Sequence, residues 1–191
     1  MTVKEVIALA AGCLGRDDLI SALDKGEEEI SEEEKLELDA LLRCYNFVEN
    51  EVALDYCPLK REETVEVKEN KIYYTELSQV PVNVRKVVGG GYLQRFAAYP
   101  AYILLSDGWL GSALVVYDCI PSTKNSFDEE SEFSQESGVS ARLLAYGVTA
   151  QYCLVNGENG RAALWDKKFR ESLRAKNLLR RTMSIRSRRW V

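Results

Sequence analysis

The sequence contains no histidine. That absence removes Ser-His-Asp and Cys-His catalysis and every histidine-based zinc site. Carboxylate and lysine chemistry stay open, but no enzyme class is favoured. Cysteine occurs five times, as Cys13, Cys44, Cys57, Cys119 and Cys153, and no two are spaced as a CxxC metal or redox motif. Each stands among apolar neighbours, the setting of buried free thiols in a reducing compartment. Lys4 and Glu5 interrupt a short apolar start, so no secretory signal or membrane segment is expected. No catalytic residue, metal ligand or cofactor site is expected either.

Charge is unevenly distributed. The 191 residues carry a net charge of −5, but 161–191 hold 11 Lys and Arg against Asp166 and Glu171, a net of +9. The first 160 residues then hold 14 Lys and Arg against 28 Asp and Glu, a net of −14. An acidic body with a basic end predicts a tail that docks on something acidic. Apolar residues make up 46% of the chain, enough for a real core and too many for general disorder.

The stretch that organises the chain is 139–156, VSARLLAYGVTAQYCLVN, with no charge after Arg142. Val139, Leu143, Tyr146, Ala150 and Leu154 recur at helical spacing, and Leu144, Ala145, Val148, Tyr152, Cys153 and Val155 make the other faces apolar too. A helix apolar nearly all round is a buried one. Arg142, Thr149, Gln151 and Asn156 make it a poor membrane span.

In chain order, Thr2 with Glu5 three positions on forms a capping box that predicts a first helix with a Val3, Val6, Ile7, Ala10, Leu14 stripe, ended by Gly15. A short second helix starts at Asp17 and Asp18 and closes at Gly26. Ser31 and Glu34 form another capping box, opening a long helix to Tyr56. Leu38, Leu41, Tyr45, Val48, Val52 and Tyr56 line its face, widened by Leu42, Phe47 and Leu54; Pro58 stops it. Glu51 and Asp55, one turn apart, are expected on its wet side.

From Glu62 the period changes to two. Residues 64–68 and 71–74, separated by Glu69 and Asn70, predict a hairpin; further strands are expected at 80–88, 92–97, 102–105 and 112–120. Gly89, Gly90 and Gly91 are a turn rather than a phosphate loop, because a strand-like run follows them instead of a helix. Ser106, Asp107 and Gly108 make another turn. Short connections predict an antiparallel sheet. Asp128, Glu129, Glu130, Glu132 and Glu136 lie in a polar loop with no calcium-loop pattern, expected to be solvated. A last helix spans about 159–175, with an apolar stripe of Ala162, Trp165, Phe169 and Leu173 and basic flanks, pairing antiparallel with 139–156.

The expected class is therefore α+β: a helical bundle formed by N-terminal and C-terminal helices with an inserted antiparallel β-sheet region. Its parts are helices in 1–60, the β insertion in 61–121, the acidic loop in 122–138, the C-terminal helix pair in 139–176 and a basic extended tail in 177–191.

The last third also carries a family look. Ala145-Tyr146-Gly147, Ala150, Tyr152 and Asn156-Gly157 precede an amphipathic helix with Trp165-Asp-Lys-Lys-Phe169, and the chain ends IRSRRWV at 185–191. This resembles small proteins of the structural-gene clusters of tailed phages and prophages of Gram-positive gut bacteria. The wider order, with Tyr99-Pro100 and Ile120-Pro121 steps in the β region, is similar to head–tail connector (adaptor) proteins. The resemblance implies a virion structural protein of the neck, made in the bacterial cytoplasm, with no catalytic residue. It implies a homo-oligomeric ring beneath the portal, sealing packaged DNA, from subunits that can be monomeric in isolation. Other neck and tail proteins are further partners. Portal docking then falls to Arg180, Arg181, Arg186, Arg188, Arg189 and Trp190.

From the residues alone the tail has three explanations. Arg forks and Trp190 can dock on an acidic protein. The same arm can bind DNA phosphates, which would make the chain a DNA-binding accessory protein. Or the end merely aids solubility. A body at −14 repels DNA, so a protein partner fits better and DNA contact is secondary.

Overall fold

The computed structural model describes residues 1–25, 29–106, 111–133 and 137–176. The fold is α+β, with two hydrophobic cores, one helical and one between β-sheets. Among the described residues no helix is long and apolar enough to cross a membrane.

The helical part contains α1 (Val3–Leu14), α2 (Asp17–Ala22), α3 (Glu32–Glu51), α4 (Ala141–Val155) and α5 (Asn159–Ala175). Local chemistry sets their ends. Thr2 Oγ1 accepts from the Glu5 N–H, and Gly15 terminates α1 at φ 74°. Ser31 and Glu34 make the full reciprocal capping box. The long helix does not run on to Tyr56 as an α-helix. It widens into a π-turn at Val52–Tyr56, and the Cys57 N–H returns to the Val52 carbonyl at 2.7 Å just before Pro58.

α4 packs against α1, α3 and α5. Leu143, Leu144, Ala145, Val148 and Cys153 are buried there, and each fully buried Leu contributes about 1.5–3 kcal/mol. Gly147 lets the helices approach: a Cβ there would stand 2.6 Å from Val48 Cγ1 and 3.2 Å from Phe169 Cε2. The expectation that α4 is buried all round fails at its C-terminal end, where Leu154 and Val155 are 54% and 68% exposed. Phe47 on α3 and Leu54 in the π-turn after it likewise face solvent instead of widening the core. Among the described residues no neighbouring helix covers that side.

The β insertion comprises β1 (Leu59–Val67), β2 (Lys71–Tyr73), β3 (Asn83–Gly89), β4 (Tyr92–Gln94), β5 (Phe96–Ala98), β6 (Tyr102–Leu105) and β7 (Gly111–Cys119). All pairings are antiparallel, but they form two sheets, β1-β7-β3-β4 and β2-β6-β5. Both sheets contribute to one core holding Val67, Ile72, Val87, Ile103 and Val115. The turn at Glu69 and Asn70 forms as expected, both residues at positive φ. Beyond one bridge between Lys68 and Lys71, however, its two strands part: β1 pairs with β7 and β2 with β6. The run 92–97 is likewise two strands, one in each sheet. In β3 a bulge between Val84 and Lys86 breaks the expected alternation, and Arg85 Nε reaches Asp118 Oδ1 at 2.6 Å. Gly90 and Gly91, both at positive φ, make the β3–β4 turn.

The two cores touch at Leu59, which packs against both. The loop after β7 is not simply solvated. Glu129 accepts the N–H groups of Asn125 and Ser126, and Glu132 accepts from Ser122 and Arg61. Its backbone meets α1 as well, Val3 N–H donating to Glu129 O at 2.9 Å and Lys4 N–H to Phe127 O at 2.8 Å. Gly26, Asp107, Gly108 and Glu136 lie outside the described residues.

Candidate functional site

The residues assigned to docking, Arg180, Arg181, Arg186, Arg188, Arg189 and Trp190, lie outside the described residues. What the structure describes is the helical face to which α5, the last described helix, contributes. The α4–α5 pair forms as the sequence predicts, held by the small and aromatic residues of the two stripes. Tyr146 lies against Trp165 with ring centroids 5.6 Å apart, and Lys168 Nζ stands 4.0 Å from the Trp165 centroid. That cation–π contact sits on a side chain sequence reasoning had placed on a plain basic flank.

Two open grooves cross the helical face. The first, about 370 Å³, lies between α3, α4 and α5. Gly147, Ala150, Ala162 and Ala163 give it a shallow floor, while Val48, Leu154 and Phe169 make it apolar. Its charged rim is Glu51, Asp166 and Arg170. Arg170 Nε is bound to Asp166 Oδ2 at 2.9 Å, one turn away on α5. Glu51 makes no ion pair among the described residues. Burial, together with the nearby Asp55 and Asp166 carboxylates, raises its pKa. Of the pair expected on the wet side, Asp55 is exposed and Glu51 is half-buried at the edge of this groove.

The second groove, about 450 Å³, runs between α3 and the end of α4. Leu36, Phe47 and Val155 line it, and Gln151 is shared with the first. Leu36 and Phe47 are 66% and 54% exposed. At its edge, Glu37 accepts from Arg16 Nη1 at 2.6 Å and from Tyr152 OH at 3.0 Å. Burial, then the Glu37 hydrogen bond, pushes the Tyr152 phenol up to about 12. Exposed apolar residues gathered like this mark an interaction surface more often than scattered single ones do.

Sequence reasoning missed a buried polar group. Glu49, 1% exposed in the helical core, receives hydrogen bonds at Oε1 from Tyr45 OH (3.0 Å), Ser131 Oγ (2.6 Å) and the Glu132 N–H (3.3 Å). Its Oε2 is buried and has no hydrogen-bond partner among the described residues. Burial raises its pKa against the pull of those donors and of Lys124. Lys124 is itself buried, its Nζ 3.2 Å from Ser122 Oγ and 3.6 Å from Glu132 Oε1. The available signal was a glutamate one turn beyond Tyr45 inside an apolar stripe. This cluster locks the 122–133 loop onto α3, and a carboxylate so enclosed does not meet a substrate from solvent.

All five cysteines are free thiols; Cys44, Cys119 and Cys153 are buried and Cys13 and Cys57 half-buried. Burial drives the Cys44 thiol up to about 11, away from the reactive thiolate form. Among the described residues there is no group of three or more His, Cys, Asp or Glu placed to hold a metal ion. No family model matches this sequence, and no curated protein matches it significantly.

Proposed function

We propose that this protein is a head–tail connector subunit of a tailed phage or prophage, a virion structural protein of the neck that works by docking, without reaction chemistry. The observation that carries the reading is the uncovered apolar face of α3 and α4, where Leu36, Phe47, Leu154 and Val155 stand exposed beside an acid-rimmed groove. A subunit that ends its life between neighbours needs such a face; a permanent monomer does not. On the β insertion, Tyr92 and Leu93 on β4, a short edge strand, offer a second uncovered patch. The basic segment 177–191, five arginines with no acid, supplies the arm for an acidic acceptor on the portal.

The test is capture by the portal protein encoded in the same gene cluster. Full-length protein binds; a chain ending at Lys176 melts at the same temperature and does not bind. Equal binding by the shortened chain, or capture of the arm by duplex DNA with a steep salt dependence and no portal binding, overturns the reading.

A further inference from the structure

We propose that the groove between α3, α4 and α5 is the acceptor for residues 178–181 of a second copy of this chain. Leu178 and Leu179 enter over the small-residue floor, and Arg180 and Arg181 meet the carboxylate of Glu51 on the rim, with the exposed Asp55 one turn beyond it. The inference rests on the assembly reading above and supplies the contact that would close a ring.

The chemistry of the two surfaces is complementary. The groove has an apolar floor, Ala150, Ala162 and Phe169 among its residues, and a carboxylate, Glu51, with no ion pair among the described residues. Arg170, the cation on the rim, is already committed to Asp166 at 2.9 Å. The segment that leaves α5 reads Leu178-Leu179-Arg180-Arg181, an apolar pair followed by a basic pair. A guanidinium fork on a partly desolvated carboxylate is among the stronger polar contacts available.

Size fits as well. From Ala162 to Arg170 the groove follows α5 for about 12 Å at 1.5 Å per helical residue. That length takes about four residues of extended chain. The rest of the segment, including Arg186, Arg188, Arg189 and Trp190, is left free for a portal.

Reach decides whose groove is filled. Asp166 lies ten residues before Lys176 on the same helix, about 15 Å back along its axis, and Ala162 about 21 Å back. Leu179 is three residues past Lys176, so it extends at most about 11 Å in any conformation. The Leu178–Leu179 backbone therefore comes no further than the Phe169–Arg170 end of its own groove and does not reach the Ala162 end. A second copy can offer its groove without that constraint. Since each chain carries one arm and one groove, the contact is head-to-tail and propagates to a ring or a filament rather than stopping at a dimer.

Two full-length variants test this by light scattering on mixtures. The groove variant carries Glu51→Lys and Ala163→Lys, both on exposed or half-exposed positions. The arm variant replaces Leu178, Leu179, Arg180 and Arg181 with Ser, all beyond the last described helix. The wild type grows in mass with concentration, and added salt reverses the growth. Each variant alone stays monomeric with an unchanged melting curve. Mixed one to one, they form a species of two protomers that goes no further, because one interface is left intact. A monomeric wild type at every concentration, an arm variant that assembles like the wild type, or a mixture that stays monomeric overturns the proposal. Loss of monomer folding in the groove variant is bypassed by a second one, Ala150→Glu, judged by the same mixture. Portal capture by the arm variant is scored separately: retained capture with failed mixing sinks the groove contact and leaves the connector reading standing.

Discussion

Asn46 and Lys124 are joined as if by a piece of sheet. The Asn46 side-chain amide donates to the Lys124 carbonyl at 2.9 Å and its Oδ1 accepts the Lys124 N–H at 2.7 Å. One side chain on α3 thus satisfies both backbone groups of a loop residue 78 positions away. Asn46→Ala removes both bonds and leaves a half-buried N–H and C=O unpaired, at a cost of about 1–3 kcal/mol. A lower denaturation midpoint and faster proteolysis within 122–133 are the expected readouts; an unchanged midpoint refutes the clamp.

Glu49 makes stability fall as pH rises. Its carboxyl titrates above the ordinary 4.5 because burial disfavours the anion. Between 4.5 and that raised value the folded chain binds a proton the unfolded chain has released. The stability difference is therefore lost with rising pH across that window and stays lost above it. Glu129 and Glu132 act with the opposite sign. Backbone hydrogen bonds lower Glu129; for Glu132, burial pushes up but the Ser122, Lys124 and Arg61 contacts outweigh it. Both thus lose stability as pH drops below 4.5. The comparison to make is wild type against Glu49→Gln in urea melts at stepped pH. The variant gains on the wild type as pH climbs above 4.5; parallel curves would show that Glu49 does not titrate there.

Gly147→Ala adds one methyl where Val48 and Phe169 already close in. Overpacking of this kind costs about 1–3 kcal/mol. The expected result is a clear drop in melting temperature with secondary structure retained. Val48→Ala in the same chain returns part of the loss; additive losses would mean that the two side chains do not collide.

Features set within a few residues were legible in the sequence. The Thr2 and Ser31 caps, the Gly15 terminus and the glycine turn before Tyr92 depend only on near neighbours, and each stands where its pattern puts it. Strand partners were not legible, because pairing is decided between distant residues. Nothing in 64–74 shows that Val65 will sit opposite Ala113 while Ile72 sits opposite Ile103. The exposure of Phe47, Leu54 and Leu154 was hidden for the same reason: helical spacing reports which residues share a side, not whether another helix arrives to cover it. The groove beside Glu51 exists only once three helices pack, so its residues carry no common motif. The arginines singled out at the C-terminal end lie outside the described residues.

Leu59, partly buried, packs against both cores at once. With the polar ties of the 122–133 loop, Arg61 to Glu132 and Asn46 to Lys124, it couples the β insertion to the helices, and the expected outcome is one cooperative melting step. Cutting that side chain back, Leu59→Ala, would let calorimetry resolve two transitions where the intact protein shows one.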